Sequence, residues 1–310
     1  MTGAGTIEQV LSIAALEKRY GNTRVLAQLD LTVQRGAIHG LVGLNGSGKT
    51  TTLECVLGMQ TFQAGELTVL GRAPSRLWQG RGDVVGIFDA PSLHPTLTVR
   101  QVLEHARLIC GQPVRSPAEV ETLLGISRYS NYKIKQLSLG NRRRASIAQA
   151  LIGQPEFIVL DEPFNGLDAG GVDDVLALIR QLNLQHGTTF LLSSHQLAYL
   201  ENICTDFAIL HQGHIALNGS VDTLFRDQHT QLNVRCDQSA KACALLTAMS
   251  GISSVTSAGP DEDALLTLTL DNIDAATINS ALVHAGIAVA GLELQKPSLA
   301  QLFHNIVETH

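Results

Sequence analysis

Residues 37–50 read Ala-Ile-His-Gly-Leu-Val-Gly-Leu-Asn-Gly-Ser-Gly-Lys-Thr. The first six residues form a short apolar run that is typical of a buried strand, and a helical pattern begins at Thr50 and extends to Met59. Between them lies the pattern G-x-x-x-x-G-K-[ST], whose glycines let successive backbone N–H groups turn toward one centre at the start of a helix. A strand, a glycine-rich loop and a helix in this order predict a phosphate-binding loop.

The predicted loop indicates ATP with Mg²⁺ as the bound group. Lys49 reaches the β and γ phosphates, which makes it a catalytic candidate, and the Thr50 hydroxyl offers the hard oxygen ligand that Mg²⁺ prefers. A glycine-rich turn that merely carries a lysine is the alternative, and the strand before it and the helix after it disfavour that interpretation. The residues assigned to the nucleotide are Gly43, Asn45, Gly46, Ser47, Gly48, Lys49, Thr50 and Thr51.

A second apolar run ends in two carboxylates. Residues 157–160 read Phe-Ile-Val-Leu and are followed by Asp161 and Glu162. We expect Asp161 to hold Mg²⁺ and Glu162 to be the catalytic residue that orients or deprotonates the attacking water. An acidic pair at a strand end can also be merely solvated, but its place in the same α/β pattern as the loop favours a metal and water site. The sequence therefore predicts ATP hydrolysis.

Three further segments complete a resemblance to a known family. Residues 137–141 read Leu-Ser-Leu-Gly-Asn, residues 165–168 read Asn-Gly-Leu-Asp, and residues 193–195 read Ser-Ser-His. In this order and spacing they resemble the signature segment, the D-loop and the switch histidine of the nucleotide-binding subunit of ABC transporters. The resemblance covers residues 12 to about 220. It implies an α/β P-loop fold with a RecA-like core, an antiparallel β subdomain and a helical subdomain.

The resemblance also implies further roles at the nucleotide. Ser138 and Gly140 would complete the ATP site of an opposite subunit, so the expected partner is a second copy of the chain or a homologous ATPase subunit. Asp168 would shape that interface, and His195 would be a catalytic residue that donates to the γ-phosphate or holds the water geometry as hydrolysis proceeds. A lone histidine after an apolar strand is more often structural, but the Ser-Ser-His context reverses this. Tyr20 resembles the aromatic residue that stacks on adenine, although an ordinary turn tyrosine is the alternative.

Three positions depart from the family's usual pattern. Leu139 and Asn141 stand where the signature has glycine and glutamine, and Asp89 stands at the glutamine of the Q-loop. Asp89 can still offer an oxygen to Mg²⁺ or to water, so we assign it to the metal. With these departures, the sequence resembles those of a subgroup that exports antibiotics or peptides and gives self-immunity. The ending Pro-Ser-Leu-Ala-Gln-Leu-Phe at residues 297–303 also resembles that of export-type subunits.

The remaining pattern predicts two domains. Short alternating strands near residues 13–16 and 29–33 open the antiparallel subdomain, and the helical subdomain is expected at about residues 90–155. The ATP-binding domain as a whole extends over residues 1–225. From residue 226 to residue 310 the pattern restarts as strand, helix, two strands, helix and strand, which predicts a small α+β domain of ferredoxin-like type.

Composition limits the partners and the environment. The chain of 310 residues has a net charge of −6, and its dense basic cluster at 142–144 lies in a predicted helix, so no nucleic acid is expected as a partner. No run reaches the roughly 18 apolar residues of a membrane span, and the first residues do not resemble a secretory signal. Five cysteines without a C-x-x-C pair indicate reduced thiols in the cytosol. We therefore expect an integral membrane permease as the partner, with this chain bound peripherally at the cytoplasmic side of the membrane.

The leading functional hypothesis is an ATPase subunit that powers export of an antibiotic, a peptide or another small molecule. ATP would close a dimer, and hydrolysis would reopen it. A soluble ABC-type ATPase acting on ribosomes or DNA is one alternative, but such proteins usually carry two nucleotide domains or long coiled coils. An ATP sensor of low turnover is the other alternative, which Asp89 and Leu139 motivate.

Overall fold

The architecture is described from a computed structural model. The structure describes residues 9–89, 93–226, 230–257, 265–271, 273–295 and 298–308. The chain forms two compact units, Met1–Val221 and Asp222–His310, and the division lies close to the boundary predicted after residue 225. Residues 1–8, residues 227–229 at the start of the predicted second domain and Pro297 of the export-type ending lie outside the described residues.

The first unit contains two sheets and a group of helices. Its strands are β1 (Gln9–Tyr20), β2 (Thr23–Gln34), β3 (Ile38–Val42), β4 (Ala64–Val69), β5 (Val84–Ile87), β6 (Phe157–Asp161), β7 (Thr189–Ser194), β8 (Asp206–His211) and β9 (His214–Ser220). Its helices are α1 (Lys49–Val56), α2 (Val99–Ile109), α3 (Pro117–Leu123), α4 (Leu139–Ala150), α5 (Ala169–His186) and α6 (Leu197–Glu201), and α7 (Val221–Arg226) begins at the end of the unit. Short 3₁₀ helices at Pro74–Gly80, Ser127–Tyr129 and Ile134–Gln136 lie between them.

A six-stranded sheet with the order β5-β6-β7-β3-β8-β9 forms the centre of this unit. The first five strands of that order are parallel, and β9 is antiparallel to β8. Every residue of β3, β6 and β7 is buried, which explains why these strands read as continuous apolar runs. Because β6, β7 and β3 are neighbours, the residues at their carboxyl ends meet at one edge of the sheet.

A second sheet with the order β2-β1-β4 is antiparallel throughout. Its apolar face shares one core with α1 and the central sheet. That core includes Leu11, Leu16, Leu29 and Val33 from this sheet, Leu53 and Val56 from α1, and Leu41, Val159 and Leu191 from the central sheet. The phosphate-binding loop and its helix are therefore fixed on both sides by buried apolar contacts.

The helices of the predicted helical subdomain begin with side-chain caps. Thr98 caps α2 and forms a capping box with Gln101. Ser138 caps α4, which ends at Ala150, before Pro155. The backbone N–H of Leu151, the residue after the helix, donates to the carbonyl oxygens of Ile147 and Ala148. These bonds close the last turn before Pro155.

Helix α1 is also shorter than predicted. The helical pattern extends to Met59, but the helix ends at Val56, and Gly58 has a φ of 69°. A Cβ atom at Gly58 would lie 2.6 Å from the carbonyl oxygen of Pro74, so a close approach of another segment requires the glycine here. No helix in the described part of the chain combines the length and apolar character needed to cross a bilayer.

The second unit has the strand and helix order predicted from the sequence. It contains β10 (Thr230–Cys236), α8 (Ser239–Thr247), β11 (Ile252–Ser257), β12 (Leu266–Leu270), α9 (Ala275–His284), β13 (Val289–Gln295) and α10 (Leu299–Glu308). The sheet order is β11-β12-β10-β13, and every pairing is antiparallel. The core of this unit lies between the sheet and the two helices α8 and α9, including Leu232, Val234, Leu268, Leu246 and Ile278. The β-α-β-β-α-β order is that of ferredoxin-like folds.

His39 in β3 makes stability depend on pH. The side chain is buried, and burial lowers its pKa to about 4, with the charge of Asp206 acting in the opposite direction. Since the unfolded chain binds this proton at higher pH than the folded chain, we expect the free energy of unfolding to fall as the pH drops from about 6.5 toward 4. The expected loss from this group is roughly 3 kcal/mol. Urea titrations at several pH values will show a flatter profile for His39→Leu than for the exposed control His284→Leu.

Candidate functional site

The loop between β3 and α1 depends on its glycines. A Cβ atom at Gly43 would lie 2.5 Å from Ser47 Oγ and 2.6 Å from the carbonyl oxygen of Leu210. Gly46 and Gly48 have φ angles of 81° and 109°, which other residues rarely adopt. The loop therefore curls tightly ahead of the first turn of α1, as phosphate binding by backbone N–H groups requires.

The side chains of the loop offer further groups for a nucleotide. Among the described residues, Ser47 Oγ is a buried hydroxyl for which no hydrogen-bond partner is found. Such an orphaned polar atom fits a loop that receives phosphate oxygens. Asn45 is exposed in the loop, and Thr51 lies half-buried in the first turn of α1. The roles of Asn45 and Thr51 at the nucleotide stay predictions.

Lys49 begins α1, and its side chain reaches back to the loop. Its Nζ atom donates hydrogen bonds to the carbonyl oxygens of Gly43 at 2.8 Å and Leu44 at 3.3 Å. It also lies 3.6 Å from Oε1 of Glu162, and the side chain is 6% exposed. A nearly buried ammonium group therefore faces the space in front of the loop and the carboxylate at the end of β6.

The predicted metal ligands are joined by hydrogen bonds. Thr50 Oγ1 donates to Oδ2 of Asp161 at 3.2 Å, and Ser193 Oγ donates to Oδ1 of the same carboxylate at 2.5 Å. No cluster of three His, Cys, Asp or Glu side chains able to hold a metal occurs in the described part of the chain. The hydroxyl and the carboxylate fit Mg²⁺, which commonly takes one or two protein oxygens together with phosphate oxygens and water.

Glu162 is held between Lys49, the last two residues of β7 and His195. Its backbone N–H donates to the carbonyl oxygen of Ser193 at 3.0 Å, and its φ angle is 46°, in the left-handed region. Oε2 accepts a hydrogen bond from Ser194 Oγ at 3.2 Å and lies 3.0 Å from Nδ1 of His195. The carboxylate can therefore accept a proton while its neighbours fix its direction.

The structure brings Asp89 next to Arg143 of α4. Oδ1 of Asp89 lies 3.2 Å from Nη2 of Arg143, whose side chain is 1% exposed, against 52% for Asp89. Burial lowers the pKa of Arg143, and the charge of Asp89 acts in the opposite direction. The role of Asp89 as a metal ligand stays a prediction. Sequence reasoning interpreted the basic cluster as a local contact and did not identify Arg143 as part of the site.

Ser138, Gly140 and Asp168 line another cleft, of about 480 Å³. Ser138 Oγ accepts from the backbone N–H of Asn141 at 3.3 Å and from its side-chain amide at 3.0 Å. Asp168 caps α5 by accepting from the backbone N–H of Gly171 at 2.8 Å. The predicted site residues of one chain thus fall into two groups, one around Lys49 and one around Ser138.

The signature and D-loop segments pack against each other in this cleft. A Cβ atom at Gly166 would lie 2.5 Å from Cδ2 of Leu139, and Gly166 has a φ angle of 69°. The Leu139 side chain is 37% exposed and leans over that glycine. The leucine that replaces the family's usual glycine therefore occupies space that the D-loop leaves open.

Tyr20 ends β1 with an exposed ring. Lys18 Nζ lies 4.7 Å from the centre of that ring, and the Lys18 side chain is buried with a hydrogen bond to the carbonyl oxygen of Thr61 at 2.5 Å. The ammonium group covers one face of the ring by a cation–π contact. Stacking of Tyr20 on adenine stays a prediction.

Comparison with known proteins agrees with this geometry. The family model described as ABC transporter matches residues 26–165. The chain is 30% identical to the linearmycin resistance ATP-binding protein LnrL of Bacillus subtilis, over 96% of this chain and 98% of that protein. It is 26% identical to the bacitracin transport ATP-binding protein BcrA of Bacillus licheniformis, over 96% and 97%. A solved structure of the ATP binding subunit of an ABC transporter, 26% identical, matches with a TM-score of 0.63 over 70% of this chain and 92% of its own. The chain therefore belongs to the ABC transporter family and is one of its ATP-binding subunits, which hydrolyse ATP.

Proposed function

We propose that this chain powers the export of an antibiotic, a peptide or a similar small molecule through a separate membrane permease. The relatives that align over nearly the whole chain are named for linearmycin resistance and bacitracin transport. The chain itself has the residues for hydrolysis but, in its described part, no helix that could span a bilayer. Through the permease it acts peripherally, on the cytoplasmic side of the membrane.

The hydrolytic work is divided among the residues around the phosphate loop. Bound ATP would supply the phosphoryl group that is transferred to water, and a bound Mg²⁺ would neutralise charge on its oxygens. Lys49 and the loop N–H groups would hold the phosphates, while Thr50 and Asp161 would hold the metal. Glu162 orients the water and accepts its proton. The 3.0 Å contact of His195 with Glu162 fixes the direction of that carboxylate.

A second subunit completes each site. Ser138 and Gly140 lie at the start of α4 in the cleft that also contains Asp168, apart from the residues that contact Lys49 in the same chain. The start of a helix attracts anions through its free N–H groups and its dipole. These residues bind the ATP held by the loop of a second copy or a homologous ATPase subunit, so that ATP closes the dimer.

An apolar groove supports the proposal that a permease is the partner. It lies between β5, α2 and α4 and consists of two adjoining cavities that share Leu93, Ile109 and Gln149. Ile109 is 66% exposed although it lines both cavities. Further lining residues are Val85, Ile87, Phe88, Leu97, Val102, His105, Ala106, Cys110 and Ala150. An exposed groove of this character fits an apolar segment of a partner, here a cytoplasmic segment of the permease.

The substitution Ile109→Glu tests the permease and the cargo together. We expect it to abolish co-purification with the membrane permease, because a charge enters an apolar contact. ATP hydrolysis by the isolated chain should stay within about twofold of wild type, since surface changes are usually mild. In cells, resistance to the exported antibiotic or peptide should fall to the level of a deletion strain.

The matched control is Leu184→Glu, because Leu184 on α5 is also an exposed apolar residue, at 83%. This variant should keep both co-purification and resistance. Loss of both properties in the two variants alike would contradict a docking role for the groove. If neither the wild type nor any variant changes antibiotic resistance, the proposed cargo class is wrong.

A further inference from the structure

Arg143 is a buried cation that contacts two segments of the site. Its Nη1 donates to the carbonyl oxygen of Phe88 at 2.8 Å, and its Nη2 donates to the carbonyl oxygen of Asp89 at 3.0 Å. Nη2 also lies 3.2 Å from Oδ1 of Asp89 and 3.4 Å from the carbonyl oxygen of Glu162. One guanidinium group thus joins the segment after β5 to the residue that follows β6.

The charge of Arg143 explains an acidic residue at position 89. A buried guanidinium group needs an opposite charge or several acceptors, because its desolvation is costly. Asp89 supplies that charge and lies at the surface end of the contact, with 52% of its side chain exposed. The pair is oriented so that Asp89 faces outward while Arg143 reaches inward to Glu162. A displacement of the segment at Asp89 therefore changes the hydrogen bonds that Arg143 makes.

The peptide group of Glu162 is the part of the site that needs such support. The residue has a φ angle of 46°, which a residue with a side chain adopts only where its surroundings hold it. Its N–H is held by the carbonyl oxygen of Ser193 at 3.0 Å, and its carbonyl oxygen faces Arg143 at 3.4 Å. The two contacts fix opposite ends of the residue, and so they fix the direction of the Glu162 side chain.

We propose that Arg143 is a positioning residue that, through its pair with Asp89, couples the groove-side segment at Phe88 and Asp89 to the backbone of Glu162. This proposal rests on the proposed role of Glu162 as the group that acts on water. Arg143 acts through Glu162, and the Asp89–Arg143 pair sets whether the carboxylate is aimed for hydrolysis. Phe88 also lines the apolar groove, which places the outer end of this connection at the proposed permease contact.

Arg143→Gln, Arg143→Lys and Asp89→Asn test the connection. For Arg143→Gln we expect kcat for ATP hydrolysis to fall roughly 10- to 100-fold, with KM changed less than about threefold, because the catalytic carboxylate is misplaced. Arg143→Lys keeps the charge but loses the planar fork, so it should recover only part of the rate. In the double variant Asp89→Asn, Arg143→Gln, the fold-decrease in kcat should be smaller than the product of the fold-decreases in the two single variants.

A second readout uses the chain without nucleotide. Amide hydrogen exchange should become about tenfold faster in Arg143→Gln both at residues 86–89 and at Glu162, Phe164 and Asn165, because both segments lose the same donor. The control is Arg100→Gln, which removes an arginine from another pair with one buried partner, the bond to Glu121 at 2.8 Å. That variant should lose stability but keep kcat and the exchange rates of both segments.

The outcomes separate this inference from the proposed function. If Glu162→Gln loses activity while Arg143→Gln and Arg143→Lys keep the wild-type kcat, Arg143 has no positioning role. Faster exchange in only one of the two segments would also overturn the connection. If Glu162→Gln itself keeps full activity, the proposed role of Glu162 fails first. If Arg143→Gln misfolds, Arg143→Lys remains as the test. An unchanged kcat together with unchanged amide exchange in that variant would overturn the proposal.

Discussion

Glu162→Gln will lower the rate of ATP hydrolysis at least about 100-fold, since removal of a positioned general base typically costs two to four orders of magnitude. Glutamine keeps the size of the side chain and can still accept hydrogen bonds from Ser194 and His195, but it cannot take a proton. Binding of ATP should stay within about threefold of wild type, because Lys49 and the loop are unchanged. Phosphate release and equilibrium dialysis measure the two properties separately.

The same variant reports on dimerisation. If ATP closes two subunits and hydrolysis reopens them, Glu162→Gln will accumulate as an ATP-bound dimer in size-exclusion chromatography. The matched control is Glu156→Gln, because Glu156 precedes the same strand at its opposite end and forms an exposed pair with Arg35. This control should hydrolyse ATP normally and remain monomeric after turnover. Equal, near-zero rates for the wild type and Glu162→Gln would instead support the ATP sensor.

Lys49→Ala will weaken ATP binding by roughly 10- to 100-fold, as expected for the loss of hydrogen bonds to charged groups. Hydrolysis should fall below detection, since Lys49 also lies next to Glu162. Calorimetric titration with ATP and Mg²⁺ measures the affinity. Without the lysine, the carbonyl oxygens of Gly43 and Leu44 lose their donor, so the nucleotide-free chain should also unfold at lower temperature.

Two comparisons make the Lys49 result interpretable. Lys241→Ala removes a lysine from the second unit, where its Nζ bonds the carbonyl oxygen of Ala285 at 2.8 Å. It should not alter ATP affinity. Lys49→Arg keeps the charge, so the variant should fold and still bind ATP. Binding should be weaker than in the wild type, because the larger side chain does not fit the curled loop. Wild-type affinity in Lys49→Ala would contradict the assignment of the loop to phosphate.

The central strands and the loop could be predicted because their signals are local. In β3 and β6, complete burial produces an unbroken apolar run, and the loop has its own glycine spacing. The strands β1 and β2 are longer than the alternation indicated, since the register shifts between Ile13 and Leu16 and the φ of Ala15 is 48°. Such bulges break the period of two on which the prediction depends.

Two other strands gave no usable signal. β5 has four residues, and only Ile87 is fully buried, while β4 is mostly exposed. Short or exposed strands lack the apolar pattern that identifies a strand in a sequence. Helix α3 was missed as well, although Ser116 and Glu119 form a capping box at its start.

Some residues of the candidate site also have a local sequence signal, and others do not. Asp161 and Glu162 could be predicted from their place at the end of an apolar strand. The contact of Arg143 with Asp89 could not, because it joins residues 54 positions apart in separate elements. The signal that was present, an acidic residue in place of a glutamine together with an arginine-rich helix, gains meaning only when the two are neighbours in space.

The contact of Leu139 with Gly166 makes the side-chain sizes at these two distant positions depend on each other. The leucine can lean over the D-loop because position 166 has no side chain, where a Cβ atom would come within 2.5 Å of it. A larger residue at 166 would be strained by the left-handed backbone and would have to displace the end of the Leu139 side chain. The surface that this chain offers at the cleft is therefore shaped by both segments together, and an exchange of the signature segment alone would change the environment of the D-loop as well.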